Sequence, residues 1–349
     1  GASTFEWGGH GIAPHWDAAT GTQTLYLTGH TQADSMVAQV EVPRMLVRSD
    51  KWSALPQARV LQPFVEITQG KLGSIGSLTN GAPVHGLLAW QGRLVVAATQ
   101  TYGSDQVRSH GVASQDLRRP DFKGFYAFSG AAAPPRALGG PMTPIPLAWQ
   151  PLFGGPALTG NCCMSIIGAT SAGPSATVFD PSTVGTADRI PGKTVLYYPI
   201  DAALCGAEGC EATRNDVFNL TSRVRGMAFV RDTRSILFFG SHGTGPYCYG
   251  TVASCRTPGE SDYSGPRAAP YEHRIWAFDA ADLVAVKDGR RRSHSPRPYA
   301  IWSLPDLKLP AKDVLGAGFD PETGRLYIAQ EFGIEPRIDV YELRPPAAR

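Results

Sequence analysis

Residues 86–101 read GLLAWQGRLVVAATQT and residues 316–331 read GAGFDPETGRLYIAQE. Each opens on a glycine, runs through a short apolar stretch and turns sharply. A second apolar stretch follows and ends in small or polar residues. Two such runs around a Gly-containing turn are the pattern of an antiparallel hairpin. The pattern recurs at Gly11–His30 (GIAPHWDAATGTQTLYLTGH) and at Gly226–His242 (GMAFVRDTRSILFFGSH). Asp17–Gly21 and Asp320–Gly324 are matching turns, DAATG and DPETG, in which the Asp side chain can bond the backbone ahead of it. A weaker fifth copy spans Asn161–Pro181, NCCMSIIGATSAGPSATVFDP.

Each hairpin is followed by one or two further apolar segments: Met36–Val42, Gly124–Phe128, Val195–Ile200, Arg274–Asp279 with Tyr299–Leu304, and Arg337–Leu343. Units of about four strands repeating roughly every 70 residues define a β-propeller. The expected fold is therefore all-β, a single propeller of four-stranded antiparallel blades. Five blades are expected, at about residues 9–70, 82–130, 157–201, 222–305 and 312–345, or six or seven if Asp50–Asn80 holds another. The N-terminal segment 3–7 is expected to close the ring beside Arg337–Leu343. No stretch keeps a 3.6-residue apolar period, and Ala280–Val286 suits one or two helical turns. Ala131–Pro156 and Gly243–Pro270 read as long loops over one face, where function concentrates.

Composition narrows the function classes. The chain has 349 residues, with 32 Lys+Arg against 30 Asp+Glu, and hydrophobic residues make up 42%. That supports a large core and argues against disorder or nucleic-acid binding through bulk positive charge. No apolar run approaches the ~20 residues of a membrane span. Six cysteines, Cys162, Cys163, Cys205, Cys210, Cys248 and Cys255, lack the paired CxxC spacing of a zinc site. Proximity proposes Cys205–Cys210 and Cys248–Cys255. The adjacent Cys162 and Cys163 form either a vicinal disulfide or two buried thiols. Disulfides point to export, hence a secreted protein, extracellular or periplasmic. With no basic n-region after Gly1, the chain looks like a mature form or a sequence that omits its signal peptide. Asn219-Leu220-Thr221 is a glycosylation sequon.

A propeller places the residue before each inner strand and the residue ending each second strand on one face. Before the inner strands stand His10, His85, Asn161, Arg225 and Leu315. Ending the second strands are His30, Thr99–Tyr102, Ser171, His242 and Glu331. Four of the chain's eight histidines fall at these few positions, which marks a polar pocket at the channel mouth.

Three uses of these residues compete. In the first, His10, His85 and His242, completed by His30 or Glu331, hold a divalent metal such as Zn, Mn, Cu or Ca. The second is metal-free acid–base chemistry, with His85, His242 or Tyr102 moving a proton and Arg225 neutralising a carboxylate, as β-elimination from uronic-acid polymers requires. In the third, the histidines only satisfy backbone groups around a wet channel. Asn161, Glu331, His110, Tyr271 and Arg274 are the expected substrate contacts. The leading expectation is an extracellular enzyme on a small-molecule or polysaccharide ligand. Its rival is a non-catalytic binding module that meets a protein partner or assembles with itself through the propeller faces. A glycosidase, which needs two opposed carboxyls, is disfavoured, since the mouth offers Glu331 and at most Asp34 while Asp17 and Asp320 are committed to turns; a P-loop, a Gly-x-Ser-x-Gly elbow and a His-Glu-x-x-His helix are lacking.

Thr170–Pro174 (TSAGP) with Val178–Pro181 (VFDP), Gly243–Gly250 (GTGPYCYG) and Ile275–Asp279 (IWAFD) resemble segments of a family of uncharacterised secreted bacterial proteins. That resemblance implies a propeller and no particular activity. Cys162-Cys163 is also similar to the vicinal disulfide of quinone-dependent alcohol dehydrogenases. Their eight blades and tryptophan docking motifs are not matched here, so no quinone is implied.

Overall fold

The structure is a computed structural model. It describes residues 3–344 apart from 31, 34, 50, 79–80, 164–168, 207–208, 211–214, 250–264, 305–313 and 331–336. Among these the fold is all-β, dominated by antiparallel four-strand units. The first unit pairs Ile12–Asp17, Thr22–Thr28, Met36–Glu41 and Arg59–Glu66 in sequence order. The second and third share one eight-stranded sheet. Its first half is Val84–Trp90, Arg93–Ala98, His110–Ser114 and Phe125–Ser129, and its second is Met142–Pro144, Ala157–Thr159, Ala176–Phe179 and Arg189–Leu196. The halves join at their outer strands, where Arg189–Pro191 runs parallel to Ala127–Ser129. The fourth unit is Arg223–Phe229, Ser235–Gly243, Tyr271–Asp279 and Ala300–Ser303, and the fifth is Val314–Asp320, Arg325–Gln330 and Arg337–Glu342.

Local chemistry explains the hairpins. The Asp17 carboxylate accepts from Ala19 N at 2.9 Å and Thr20 Oγ1 at 2.8 Å. Asp320 repeats this with Glu322 N at 3.0 Å and Thr323 Oγ1 at 2.7 Å. At Gln91-Gly92 both residues have positive φ, 46° and 78°, the two-residue turn that matches strand twist. The repeated glycine has a packing role. A Cβ at Gly86 would collide with the carbonyl of Gly140, one at Gly226 with Ala317, and one at Gly316 with the carbonyls of Gly9 and His10. Gly11 fits against Leu87, and Phe229 N donates to Thr143 Oγ1 at 3.4 Å. The first strand of each unit thus lies against the first strands of its neighbours.

Apolar residues gather between successive units. Tyr26, Val37, Leu87 and Val96 pack between the first and second, and Val112, Phe128, Phe179 and Ile190 between the second and third. The largest cluster, with Phe153, Leu196, Tyr198, Phe229, Phe238 and Trp276, lies between the third and fourth. Phe239, Ile275, Phe319 and Leu326 fill the next interface, and Ile12, Leu27, Tyr327 and Ala329 the last. Two-sided burial accounts for apolar runs such as Leu94–Ala98 and Ile236–Phe239 that show no alternation.

Several expectations change. Residues 3–7 form a bend and turn, not a strand; Phe5 packs against the cluster of the first and fifth units and 4.5 Å from the Phe64 ring. Asp50–Asn80 supplies the outer strand Arg59–Glu66 and short 3-10 turns, not another blade. Ala131–Pro156, expected as a loop, holds Met142–Pro144, the first strand of the third unit. That strand is only three residues long and bracketed by prolines, so it carries no readable period. Within Gly243–Pro270, Cys248–Tyr249 pairs with Pro266–Arg267. The expected helical turns appear as Ala280–Lys287, capped by the Asp279 side chain accepting from Ala281 N at 2.8 Å. No helix is long and apolar enough to cross a membrane among the described residues.

Cys162 is bonded to Cys163 and Cys205 to Cys210; all four are buried in the largest cluster. Cys248 is disulfide-bonded, and its expected partner Cys255 lies outside the described residues.

Candidate functional site at the starts of the first strands

The first strands share a backbone irregularity. Val84 pairs with Ala98 and Gly86 with Ala97, leaving His85 as an extra residue in a β-bulge. Val224 pairs with Gly240 and Gly226 with Phe239, which leaves out Arg225. Leu315 is left out in the same way between Val314 and Gly316. In the first unit, Gly9 N donates to Thr28 O at 2.9 Å while Thr28 N donates to Gly11 O at 3.1 Å, so His10 stands between two bonds to one residue. A bulge re-aims the side chain of its extra residue. The residue before the repeated glycine is therefore turned out of the ladder four times, as His10, His85, Arg225 and Leu315.

Three of the four lie within electrostatic reach of one another. The His10 and His85 rings lie 5.7 Å apart, centroid to centroid, with planes inclined by 28°. Arg225 is close enough to act electrostatically on both. Burial is the main cause that pushes His10 down to about 3, with the Arg225 guanidinium adding to it. Burial, then Arg225, then His10 hold His85 well below the usual histidine range. Both imidazoles are thus neutral at physiological pH beside a cation. His85 is only 8% exposed, and its Nδ1 has no hydrogen-bond partner.

Three further histidines, His110, His242 and His30, are hydrogen-bonded elsewhere. His110 is fully buried between the second and third units, where its Nε2 meets Thr159 Oγ1 at 2.9 Å and its Nδ1 meets Ser109 Oγ at 3.0 Å. Its ring packs edge-on against Phe128 and Phe179. It belongs to the core and not to a substrate contact. His242 Nδ1 lies 2.8 Å from Ser222 Oγ and Nε2 lies 3.4 Å from Asn219 Nδ2. Burial, then Arg274, lower it to about 4, against an upward pull from Glu272. His30 Nδ1 accepts from Gln32 N at 3.0 Å.

Asn161 follows the second strand of its unit and does not precede an inner strand. Its side chain donates to Arg136 O at 3.0 Å and Thr99 Oγ1 at 3.3 Å. Arg274 donates to Asp216 O and, at 3.2 Å, to Glu272. Tyr271 accepts from Ala268 N at 3.4 Å. Tyr102 stands half-exposed on the loop after Arg93–Ala98, and Glu331 lies outside the described residues.

Among the described residues, no group of three or more His, Cys, Asp or Glu is placed to hold a metal. The two imidazoles are neutral, and the Arg225 guanidinium acts as a cation on both.

Two features escaped the sequence. Arg136, 1% exposed, donates to Gln100 O at 3.1 Å, in a stretch that the sequence presents as loop. Asn219 is buried, with Oδ1 accepting from Thr221 N at 2.9 Å and Nδ2 donating to Gly243 O at 2.9 Å. A sequon match carries no information on burial.

No protein-family model and no curated protein matches the chain. It is similar to a solved structure, Raptor from Chaetomium thermophilum, at 11% identity and a TM-score of 0.32, over 94% of this chain and 23% of that one.

Proposed function

We propose that the five units are the blades of one five-bladed propeller in a secreted protein, and that His10, His85 and Arg225 bind an acidic, carbohydrate-like ligand at the mouth of its channel. Support for the ring comes from first strands that each touch their neighbours and from apolar clusters between all successive units. The buried disulfides support an oxidising compartment.

The observation that carries the ligand reading is His85 Nδ1, buried and unpartnered within electrostatic reach of Arg225. An unmet buried polar atom costs about 1–3 kcal/mol, and a ligand that meets it offsets that cost. In β-elimination from a uronate, Arg225 pairs with the carboxylate and His85 takes the C5 proton. The C5–H electrons form the C4=C5 double bond as the C4–O bond breaks, and Tyr102 protonates the departing oxygen. Plain binding without turnover is the second reading, favoured because His242 and His110 are spent in structural hydrogen bonds.

Polygalacturonate and alginate, followed by the absorbance of the unsaturated product, test the enzyme reading. Product formation that Arg225→Ala abolishes supports it. Binding without product selects the second reading, and the absence of both overturns the assignment.

A further inference from the structure

We propose that the end of the fold opposite the histidines docks on an anionic lipid bilayer, with two apolar loops entering its interface and the cations of one of them meeting its head groups. This goes beyond the ligand reading above and does not depend on it.

Strand order puts both loops at that end. His10 precedes Ile12–Asp17, so Asp17 marks the far end of the first unit. Thr22–Thr28 returns and Met36–Glu41 runs back down, which brings Glu41 to the far end, where it pairs with Arg59 of the outer strand. Residues 42–58 join these two strands and therefore project there. The third unit is oriented alike, because Gly140, just before Met142–Pro144, packs against Gly86 of the second, and Leu87 of the second packs against Gly11 of the first. The connection over residues 145–156 thus leaves Pro144 at the same end.

Both loops hold large apolar side chains in the open. Met45 is 79% exposed and Leu147 83%, and Leu46, Val47, Trp52 and Leu152 are about half-exposed. None of the six belongs to the apolar clusters between units. Exposed apolar groups gathered in this way mark a surface that meets a partner. Charge identifies it. Arg44, Arg48 and Lys51 share residues 43–58 with a single acid, Asp50, so the loop is cationic even with that acid fully paired. Residues 145–156 carry no charge, and Lys287 Nζ donates to Leu152 O at 2.8 Å. Cations flanking consecutive apolar residues suit the boundary of an anionic bilayer, where apolar groups enter the acyl region and charged heads reach the phosphates. A second copy of the chain fits less well, since a two-fold contact would set the three cations against their own equivalents. The loops belong to the first and third units, with the second packed between, so a broad flat surface meets both at once.

Sedimentation of the full chain with vesicles of phosphatidylcholine containing about a quarter phosphatidylglycerol tests this. Binding is expected, weakened by raised salt and much weaker on phosphatidylcholine alone. Arg44→Gln/Lys51→Gln should lower the partition coefficient about 25-fold, at about fivefold per cation. Met45→Ser/Leu46→Ser and Leu147→Ser should each lower it about tenfold or more. Val107→Ser, an exposed apolar site at the histidine end between Arg93–Ala98 and His110–Ser114, should change nothing. The substituted side chains are all exposed, so the variants keep the fold, which circular dichroism checks.

No binding to the anionic vesicles overturns the proposal and leaves the ligand reading untouched; self-association that Met45→Ser/Leu46→Ser abolishes would then assign the face to a second copy. Equal binding to neutral vesicles, or equal binding by the loop variants and the wild type, overturns it too.

Discussion

The rings of His10 and His85 lie 5.7 Å apart where the first strands of adjacent units begin, and each residue immediately precedes the repeated glycine, Gly11 or Gly86. Two residues 75 positions apart in sequence are thus brought together by the same local device, a residue turned out of the ladder just before a glycine that fits closely against the neighbouring unit.

Replacing Arg225 with Met removes the cation that opposes protonation of both rings. The His10 midpoint, about 3 in the wild type, is expected to rise, and that of His85 with it. The rise stays partial because burial, the larger cause, remains. Proton-detected titration of the imidazole resonances measures this; unmoved midpoints would place Arg225 too far away to act.

Histidines held neutral by burial make the fold acid-sensitive. His10 and His110 are lowered to about 3 and His242 to about 4, below the value each has in the unfolded chain. As pH falls below about 6.5 the unfolded state takes up protons that the folded state refuses. Stability is therefore full above that pH and declines between about 6.5 and 3, by up to about 1.4 kcal/mol per pH unit for each such group. Denaturant midpoints of the wild type across this window should fall more steeply than those of His110→Asn. Parallel slopes would contradict the burial of His110.

At Gly226 a methyl group meets Ala317 of the next unit, and at Gly86 one meets the Gly140 carbonyl. Gly226→Ala and Gly86→Ala should each cost about 1–3 kcal/mol by overpacking. Gly92→Ala is the contrasting control, since that site has open space and only an unfavourable φ of 78°. A loss of about 1 kcal/mol is expected there. Urea unfolding ranks the three, and equal losses would argue against close packing of the first strands.

Expressed through a glycosylating secretory route, the folded protein should carry no glycan on Asn219, because that side chain is 4% exposed and bonded to Gly243 O and Thr221 N. Intact-mass measurement decides it. Asn219→Ala should destabilise by about 2 kcal/mol by leaving those buried groups unmet.

Much of the strand pattern was legible because hairpins are local. Asp17 and Asp320 organise their turns with atoms two and three residues ahead, and Gln91-Gly92 turns on its own φ preferences. His10, His85 and Arg225 could be placed on one face from strand order alone. The sequence sets Asn161 before an inner strand because Met142–Pro144 is too short to show periodicity, and that shifts the third unit by a strand.

What the chain determined by itself is therefore what depends on neighbours in sequence: the turns, the four-strand units and the end of the strands that gathers the histidines. Tertiary structure alone decided which of those histidines share a site. At that end, His110 is closed off by Phe128 and Phe179 and His242 is held by Ser222 and Asn219, whereas His10 and His85 meet each other beside Arg225. The physical reason is that burial and partnership are set by contacts between units. Residue type and position along a strand are the same for a histidine sealed into the core and for one whose Nδ1 is left without a partner.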